Sequence, residues 1–577
     1  MTIKQRMDQA LEKAGQTKGA EISQGALKST PVLFKKFFPG RKAVVITDQF
    51  VWTAAGEDVY NIMNNEGVEC EKFVIPDKSF HAEWKYVEMI EEVMKKYDAI
   101  AIAVGSGVIN DVCKLASHRL GQRYICIASA ASADGYSASG SAIVKDGAKQ
   151  TFTCPAPLVI IGDSNVLCNA PARLTTAGYA DLAAKVPAGG EWMIADLFGT
   201  EPIRDDAWHV IHDMLPEVLA DAQGIADRTP KAVENVFAGL TLSGVAMQIA
   251  NDTRPLSCAE HLFSHYLDMT HHTFEDRMVL HGFQVSVGTV TMCAFFDELL
   301  KLDLSKLDVD ACIAAWPTKE QEVARATELF KNFPVPELGP TEIARKWQSP
   351  EEVREQLNRV KATWPEFREK LRNQVYSFEK MRDLFVTAGA PVAPEQIGVS
   401  REQWKNMTNF VQLMRWRVNL FDLAKRTQTF DTLVGKVFGQ GGALELPVLH
   451  HQVAVAVEAG GQVDQGPVLG IVLGDQGDLL LGSVGIGDQA VVAVAVSSSQ
   501  VDGCGVGRAI PGAFRALSFH AVQFHCQGNS SAFDVLNGSS LQFDGSAVQR
   551  RPGGETCFFG QFRQLFVGHS ISSSQNS

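Results

Sequence analysis

Short apolar runs and longer amphipathic stretches alternate through the first third of the chain, and that alternation sets the fold expectation. Ala43 to Thr47 is a β-branched run directly before Asp48. A helical stretch follows from Val51 to Asn65, then a second strand in CEKFVIP, before Asp77. Trp84 to Lys96 is amphipathic with mixed charge, and AIAIAVG (99–105) is apolar throughout. RYICIAS and PLVIIGD supply two more strands, with a hairpin-like IVKDGAKQTFTCP between them. Strands alternating with helices predict a parallel sheet covered by helices. Strands without internal alternation suit a sheet buried on both faces. From Pro171 the period becomes helical, and three capping boxes mark helix starts: Thr318 with Gln321, Ser349 with Glu352, and Ser400 with Gln403. The expected organisation is a lead-in over 1–24, an α/β domain over 25–169, an all-α domain over 170–438 and an atypical tail over 439–577.

Composition narrows the class. With 577 residues, 45% hydrophobic and 21% charged, the chain reads as globular with more than one domain. A net charge of −13 argues against general attraction to nucleic acid or an anionic membrane. The eleven cysteines include no CxxC pair, which indicates neither a zinc ribbon nor a disulfide framework and fits a reducing compartment. No apolar run approaches a membrane span, and the N-terminus reads as a polar helix without a signal-peptide core. A cytoplasmic location is expected.

Candidate chemistry falls in four places. The third predicted strand ends in Gly105-Ser106-Gly107-Val108-Ile109-Asn110-Asp111, where glycines let backbone amides approach a pyrophosphate at a helix N-terminus. A tight turn with no ligand explains the bare motif equally well; its place at the carboxyl end of a parallel strand favours the phosphate cradle. The stretch ASAASADGYSASGSAIV (128–144) carries Asp134 as its one charge before Lys145. There Asp134 either caps a turn or accepts a substrate hydroxyl. His261 and His265 stand four apart in CAEHLFSHYLDM, on one helix face, and His281 opens HGFQVSVGT. Two imidazoles with a carboxylate make a ligand set for a catalytic divalent metal, although histidines at this spacing are more often ordinary residues. Asp181 is the carboxylate that could complete the set; with Lys185 four residues on, it also fits a plain intrahelical ion pair of a few tenths of a kcal/mol.

SGVAMQIANDTRPLSCAEHLFSHYLDM, with HGFQVSVGT after it, resembles the bacterial branch of the sn-glycerol-1-phosphate dehydrogenase family. That family lies within the glycerol dehydrogenase, iron-type alcohol dehydrogenase and dehydroquinate synthase superfamily. ALKSTP, ITDQFVWTAAG, GSGVINDVCK, SADGY and AGYADLAAK…EWMIADLFG recur in the same order, so the resemblance runs from Gly25 to Phe438. It implies a dehydroquinate synthase-like fold and NAD(P)H-dependent reduction of dihydroxyacetone phosphate to sn-glycerol 1-phosphate. It further implies one divalent ion, zinc or nickel, held by Asp181, His261 and His281. Substrate contacts would come from Asp134, Asp181 and His265. Contacts to NAD(H) or NADP(H) would come from Asp48, the turn Gly105, Ser106, Gly107, Val108 and Ile109, and the segment from Ser129 to Ser132. The family's cofactor-binding serine falls on Ala138, where Ser137 or Ser139 would have to substitute. A homo-oligomer is expected. The rival readings are a glycerol dehydrogenase acting on an unphosphorylated polyol, a lyase of the dehydroquinate synthase type, and a non-catalytic relative. EHLFSH, and Asp181 where the lyases offer glutamate, favour the first family.

The tail breaks this pattern. No lysine occurs among the 141 residues after Lys436, and five arginines face ten acids. Its alternating Val- and Gly-rich runs could form β-hairpins. The expectation is an unstable appendage or translation in a shifted frame rather than a small β module.

Overall fold

The computed structural model describes residues 2–446 except Lys78, Ser79 and Gly147, and beyond them a set of short strands between Val453 and Gln564. The chain divides after Leu446. In the first unit the strands are β1 (Gly19–Ser23), β2 (Lys42–Asp48), β3 (Cys70–Ile75), β4 (Ala99–Gly105), β5 (Ile125–Ala128), the hairpin pair β6 (Ser141–Lys145) and β7 (Ala148–Phe152), and β8 (Val159–Asp163). Six of them form one sheet in the order β1-β8-β5-β4-β2-β3, with every pair parallel. The apolar runs explain the burial. In β2, Val45 faces a core shared with Phe34, Val59 and Met63, while Val44 and Ile46 face the opposite core with Ile90 and Met94. In β4, Ile100 and Ile102 fill the first core; Ala101 and Ala103 let helices close in on the second.

The strand order also locates a crevice. The chain leaves β2 towards β3 at one edge, and leaves β4 towards β5 and the other edge. The connections after β2 and β4 therefore diverge, and ligands bind open α/β sheets at such a switch point, outside the carboxyl ends of the strands.

Residues 1–24 are more than a lead-in. After a helix at Ile3–Lys13, β1 pairs with β8 from Gly19↔Val159 to Ser23↔Asp163. This edge strand, GAEIS, is too short and too polar to stand out by apolar pattern. Helix α1 (Gly107–Arg119) follows β4. Past β8 come α2 (Ala172–Ala183), α3 (Lys185–Phe198), α4 (Pro230–Ala250), α5 (Ala259–Met269) and α6 (His281–Leu299). The helical part is not wholly α: Thr273–Phe274 and Arg277–Met278 pair as a two-residue hairpin between α5 and α6. All three capping boxes form, with Thr318, Ser349 and Ser400 each accepting from the residue three on. Against the expectation of no span-length apolar run, α4 is long and apolar enough to cross a membrane. In this structure 83% of its apolar window is buried. The eight cysteines from Cys70 to Cys312 are all free thiols.

Beyond Leu446 the described residues are strands, including the antiparallel pair Leu480–Ile486 and Gln489–Ala495. The choice among appendage, β module and shifted frame lies outside the described residues.

Candidate active site

At the switch point, β4 ends on Gly105 and Ser106 precedes the first residue of α1. Ser106 places no side-chain acceptor on the first turn of this thirteen-residue helix, so no side chain there competes with an anion for its amides. The two glycines divide the work. A Cβ on Gly105 would stand 2.4 Å from Ile109, whereas a Cβ on Gly107 would meet nothing within 4 Å. Gly105 is thus required for helix–strand packing, and Gly107 faces open space. Ile109 buries its side chain in the core, and Val108 is half-buried. Asp48, at the end of β2, accepts from the amides of Phe50 and Val51 at 2.8 and 2.9 Å. One of its oxygens is therefore committed to a helix cap, as the ordinary reading of such an aspartate requires.

The loop after β5 is fastened at both ends. The Ser129 amide donates to the Gly105 carbonyl at 3.0 Å, and the Asp134 amide donates to Asp181 Oδ2 at 2.9 Å. The five intervening steps span at most about 18 Å. Ser132 lies 3.5 Å from the Tyr136 hydroxyl. Lys114, fully buried on α1, donates to the carbonyls of Gly135, Ala138 and Gly140, each at 3.0 Å. Both neighbours of Ala138 already donate within the protein. Ser137 donates to the Thr241 carbonyl at 2.8 Å and Ser139 to Gln16 at 2.9 Å.

Asp181, His261 and His281 come together: their ligand atoms all lie within 4.8 Å of one another. Small residues allow it. A Cβ on Gly178 would fall 2.0 Å from the Ala131 carbonyl, and one on Gly282 would fall 2.0 Å from that of Ala177. These glycines seat α2 against the Asp134 loop and α6 against α2. The three residues are placed by α2, α5 and α6, and His261 Nε2 lies 3.4 Å from Asp181 Oδ1. Both imidazoles are oriented from behind. Glu260 takes the His261 Nδ1 hydrogen bond at 2.8 Å, and Ser264 engages His281 Nδ1 at 2.9 Å and the Gln284 amide at 2.6 Å. That leaves each Nε2 for the cluster, the arrangement metal-binding histidines adopt. One carboxylate with two imidazoles fits a divalent ion with an open position. His265, half-buried, sits one turn beyond His261 on α5.

The electrostatics are those of a dry, charged corner. Burial opposes ionisation of Asp181, but the Lys185 ammonium and the His261 hydrogen bond outweigh it and hold the carboxyl well below its usual range. Burial would lower Lys185, yet Asp134 and Asp181 together raise it. For His261 burial is likewise outweighed, by hydrogen bonds to Asp181 and Glu260, and its pKa rises. Behind them Glu191, fully buried, is pushed up to about 7 by burial and then by the neighbouring Glu260. Lys185 is no surface ion pair: it is 0% exposed and contacts Asp134 as well as Asp181. Lys114, Glu191, Glu260, Ser264 and Gln284 escaped the sequence reading. Only the placing of Glu260 directly before the first histidine offered a signal.

Residues 21–171 match the family model described as iron-containing alcohol dehydrogenase. A glycerol-1-phosphate dehydrogenase of Geobacillus thermodenitrificans is 28% identical over 312 residues, 52% of this chain and 75% of the relative. One from Pyrococcus horikoshii is 32% identical over 260 residues, 45% of this chain and 73% of the relative. The chain belongs to the glycerol-1-phosphate dehydrogenase family. A solved structure of a probable glycerol dehydrogenase from Sinorhizobium meliloti 1021 is also similar, with a TM-score of 0.46 and 15% identity over 73% of this chain and 98% of that one. Within this family frame, the switch-point turn and the buried Asp-His-His corner are the two halves of a single candidate site, joined by the loop from Ser129 to Asp134.

Proposed function

We propose that the chain catalyses the reversible, NAD(P)H-dependent reduction of dihydroxyacetone phosphate to sn-glycerol 1-phosphate. The supporting observation is the convergence of Asp181, His261 and His281 at one end of a short loop whose other end is bonded to the Gly105 turn. Asp181 Oδ1 and the Nε2 atoms of His261 and His281 would hold one divalent ion, zinc or nickel in this reading. Such an ion, when bound, polarises the substrate carbonyl and offsets the negative charge that develops on its oxygen. The turn from Gly105 to Ile109 seats the cofactor pyrophosphate through its amides. The loop from Ser129 to Ser132 packs beside the nicotinamide end, and Asp48 lies on the ribose side of the crevice. Asp134 accepts a hydrogen bond from a substrate hydroxyl, fixing the ketone for hydride transfer from the nicotinamide. His265 contacts the substrate and stands closest by sequence to the ligands as a route for the proton that completes the alcohol. Glu260 and Ser264 hold the two imidazoles in the ligating tautomer.

The test is NADH oxidation with dihydroxyacetone phosphate against dihydroxyacetone, followed by chiral analysis of the product. Turnover of the phosphorylated ketone to the 1-phosphate enantiomer is expected. Preference for the unphosphorylated ketone would replace this reading by the glycerol dehydrogenase one.

A further inference from the structure

Lys185 opens α3 directly after the helix that carries Asp181, and its ammonium is sealed from solvent. Nζ lies 2.7 Å from Asp181 Oδ1 and 2.9 Å from Asp134 Oδ2. Asp134 is therefore fixed to the helical part twice, through its amide to Asp181 Oδ2 and through its carboxylate to Lys185. Asp181 Oδ1 faces both Lys185 and His261 Nε2, so the lysine touches the oxygen that points towards the histidines. Asp134 itself is not among the three clustered ligand residues. Two carboxylates from separate segments repel at this range, and a dry site amplifies the repulsion. The buried cation between them removes that obstacle.

We propose that Lys185 is a positioning residue for the substrate: by clamping Asp134 against Asp181 it fixes the distance between the carboxylate that receives the substrate hydroxyl and the corner that receives its carbonyl. This rests on the functional reading above. The clamp acts through Asp134, so its loss leaves Asp181, His261 and His281 able to gather one ion, and leaves the Gly105 turn untouched. What it loses is alignment of the ketone, and a misplacement of about 1 Å can cost on the order of a hundredfold in rate.

The experiment is a double-mutant cycle on Lys185→Met and Asp134→Asn, read by zinc titration of the metal-stripped protein, NADH binding by fluorescence, and steady-state kinetics with dihydroxyacetone phosphate. For Lys185→Met the expectation is zinc and NADH affinities within about threefold of the parent, and kcat/KM lower by roughly a hundredfold, chiefly through kcat. The double variant should be no worse than Asp134→Asn alone, because residues that act through one contact are not additive. Additive losses would overturn the proposal, as would loss of zinc in parallel with turnover in Lys185→Met. If Lys185→Met does not fold, comparing the double variant with Asp134→Asn decides, since that pair removes both charges together. The functional reading fails separately: Asp181→Ala that keeps both zinc and turnover would sink it whatever residues 134 and 185 do.

Discussion

The two halves of the site are built from opposite materials. The turn after β4 is a backbone site, in which Gly107 faces open space and no side chain caps the helix above it. The corner formed by Asp181, His261 and His281 is a side-chain site, enclosed by Glu260, Ser264 and Lys185. A backbone site tolerates changes of side chain until one fills the space in front of the amides. A side-chain site in a dry environment tolerates almost none, because each group is the partner of another buried charge. Removing one partner of a buried pair costs about 3–5 kcal/mol.

The largest effect is expected where that contrast is sharpest. Alanine at Asp181, His261 or His281 should abolish metal binding and reduce turnover by more than about a thousandfold, since a site that keeps an open position has no spare protein ligand. His265→Ala should retain the metal and lose kcat/KM by about 10–100-fold. Metal analysis of the four purified variants with steady-state kinetics checks this. Full metal occupancy in His261→Ala or His281→Ala, or metal loss confined to His265→Ala, breaks the assignment.

On the backbone side the test uses two glycines two residues apart. Gly107→Val should weaken NAD(H) binding by about 10–100-fold while leaving metal content and thermal stability unchanged, because the new side chain occupies only the cradle. Gly105→Ala should instead lower stability, since its Cβ would meet Ile109 at 2.4 Å. Unchanged cofactor affinity in Gly107→Val would remove the turn from the site.

The same contrast explains what was legible in the sequence. The backbone half could be read because it lies at the end of an apolar strand, and both the strand and its glycines are local signals. Its partner strand β1 could not be, since a five-residue polar edge strand takes its identity from pairing with β8. The candidate metal ligands stood out through histidine spacing and the family motif, but the groups that hold them did not. Glu191 and Glu260 are 69 residues apart in the chain and meet only when α3 packs by α5. Lys185 looked like half of a surface pair because spacing carries no information about burial. Asp134 reaches it from another segment altogether.

The last expected effect places pH dependence on the side-chain half. Glu191 is fully buried, and its oxygens accept from the amides of Ala259 at 2.9 Å and Leu420 at 2.8 Å. Around it lie Glu260, the Cys258 thiol and the Arg254 guanidinium, and Glu260 Oε2 has no hydrogen-bond partner among the described residues. Two carboxyls in so dry a place resist double ionisation, and Glu191 is pushed up to about 7 from its ordinary 4.5. The folded protein therefore holds a proton that the unfolded chain releases above about pH 4.5. Stability must fall as pH rises from there to about 7, by roughly 3 kcal/mol in all at about 1.4 kcal/mol per pKa unit. Glu191→Gln is neutral in both states and lacks this dependence. Relative to the parent, it should gain stability between pH 5 and pH 7.5, measured as urea midpoints of the metal-free protein. A difference between the two proteins that stays constant over that window would mean that Glu191 ionises normally, and that the side-chain half carries its charges no less easily than the backbone half.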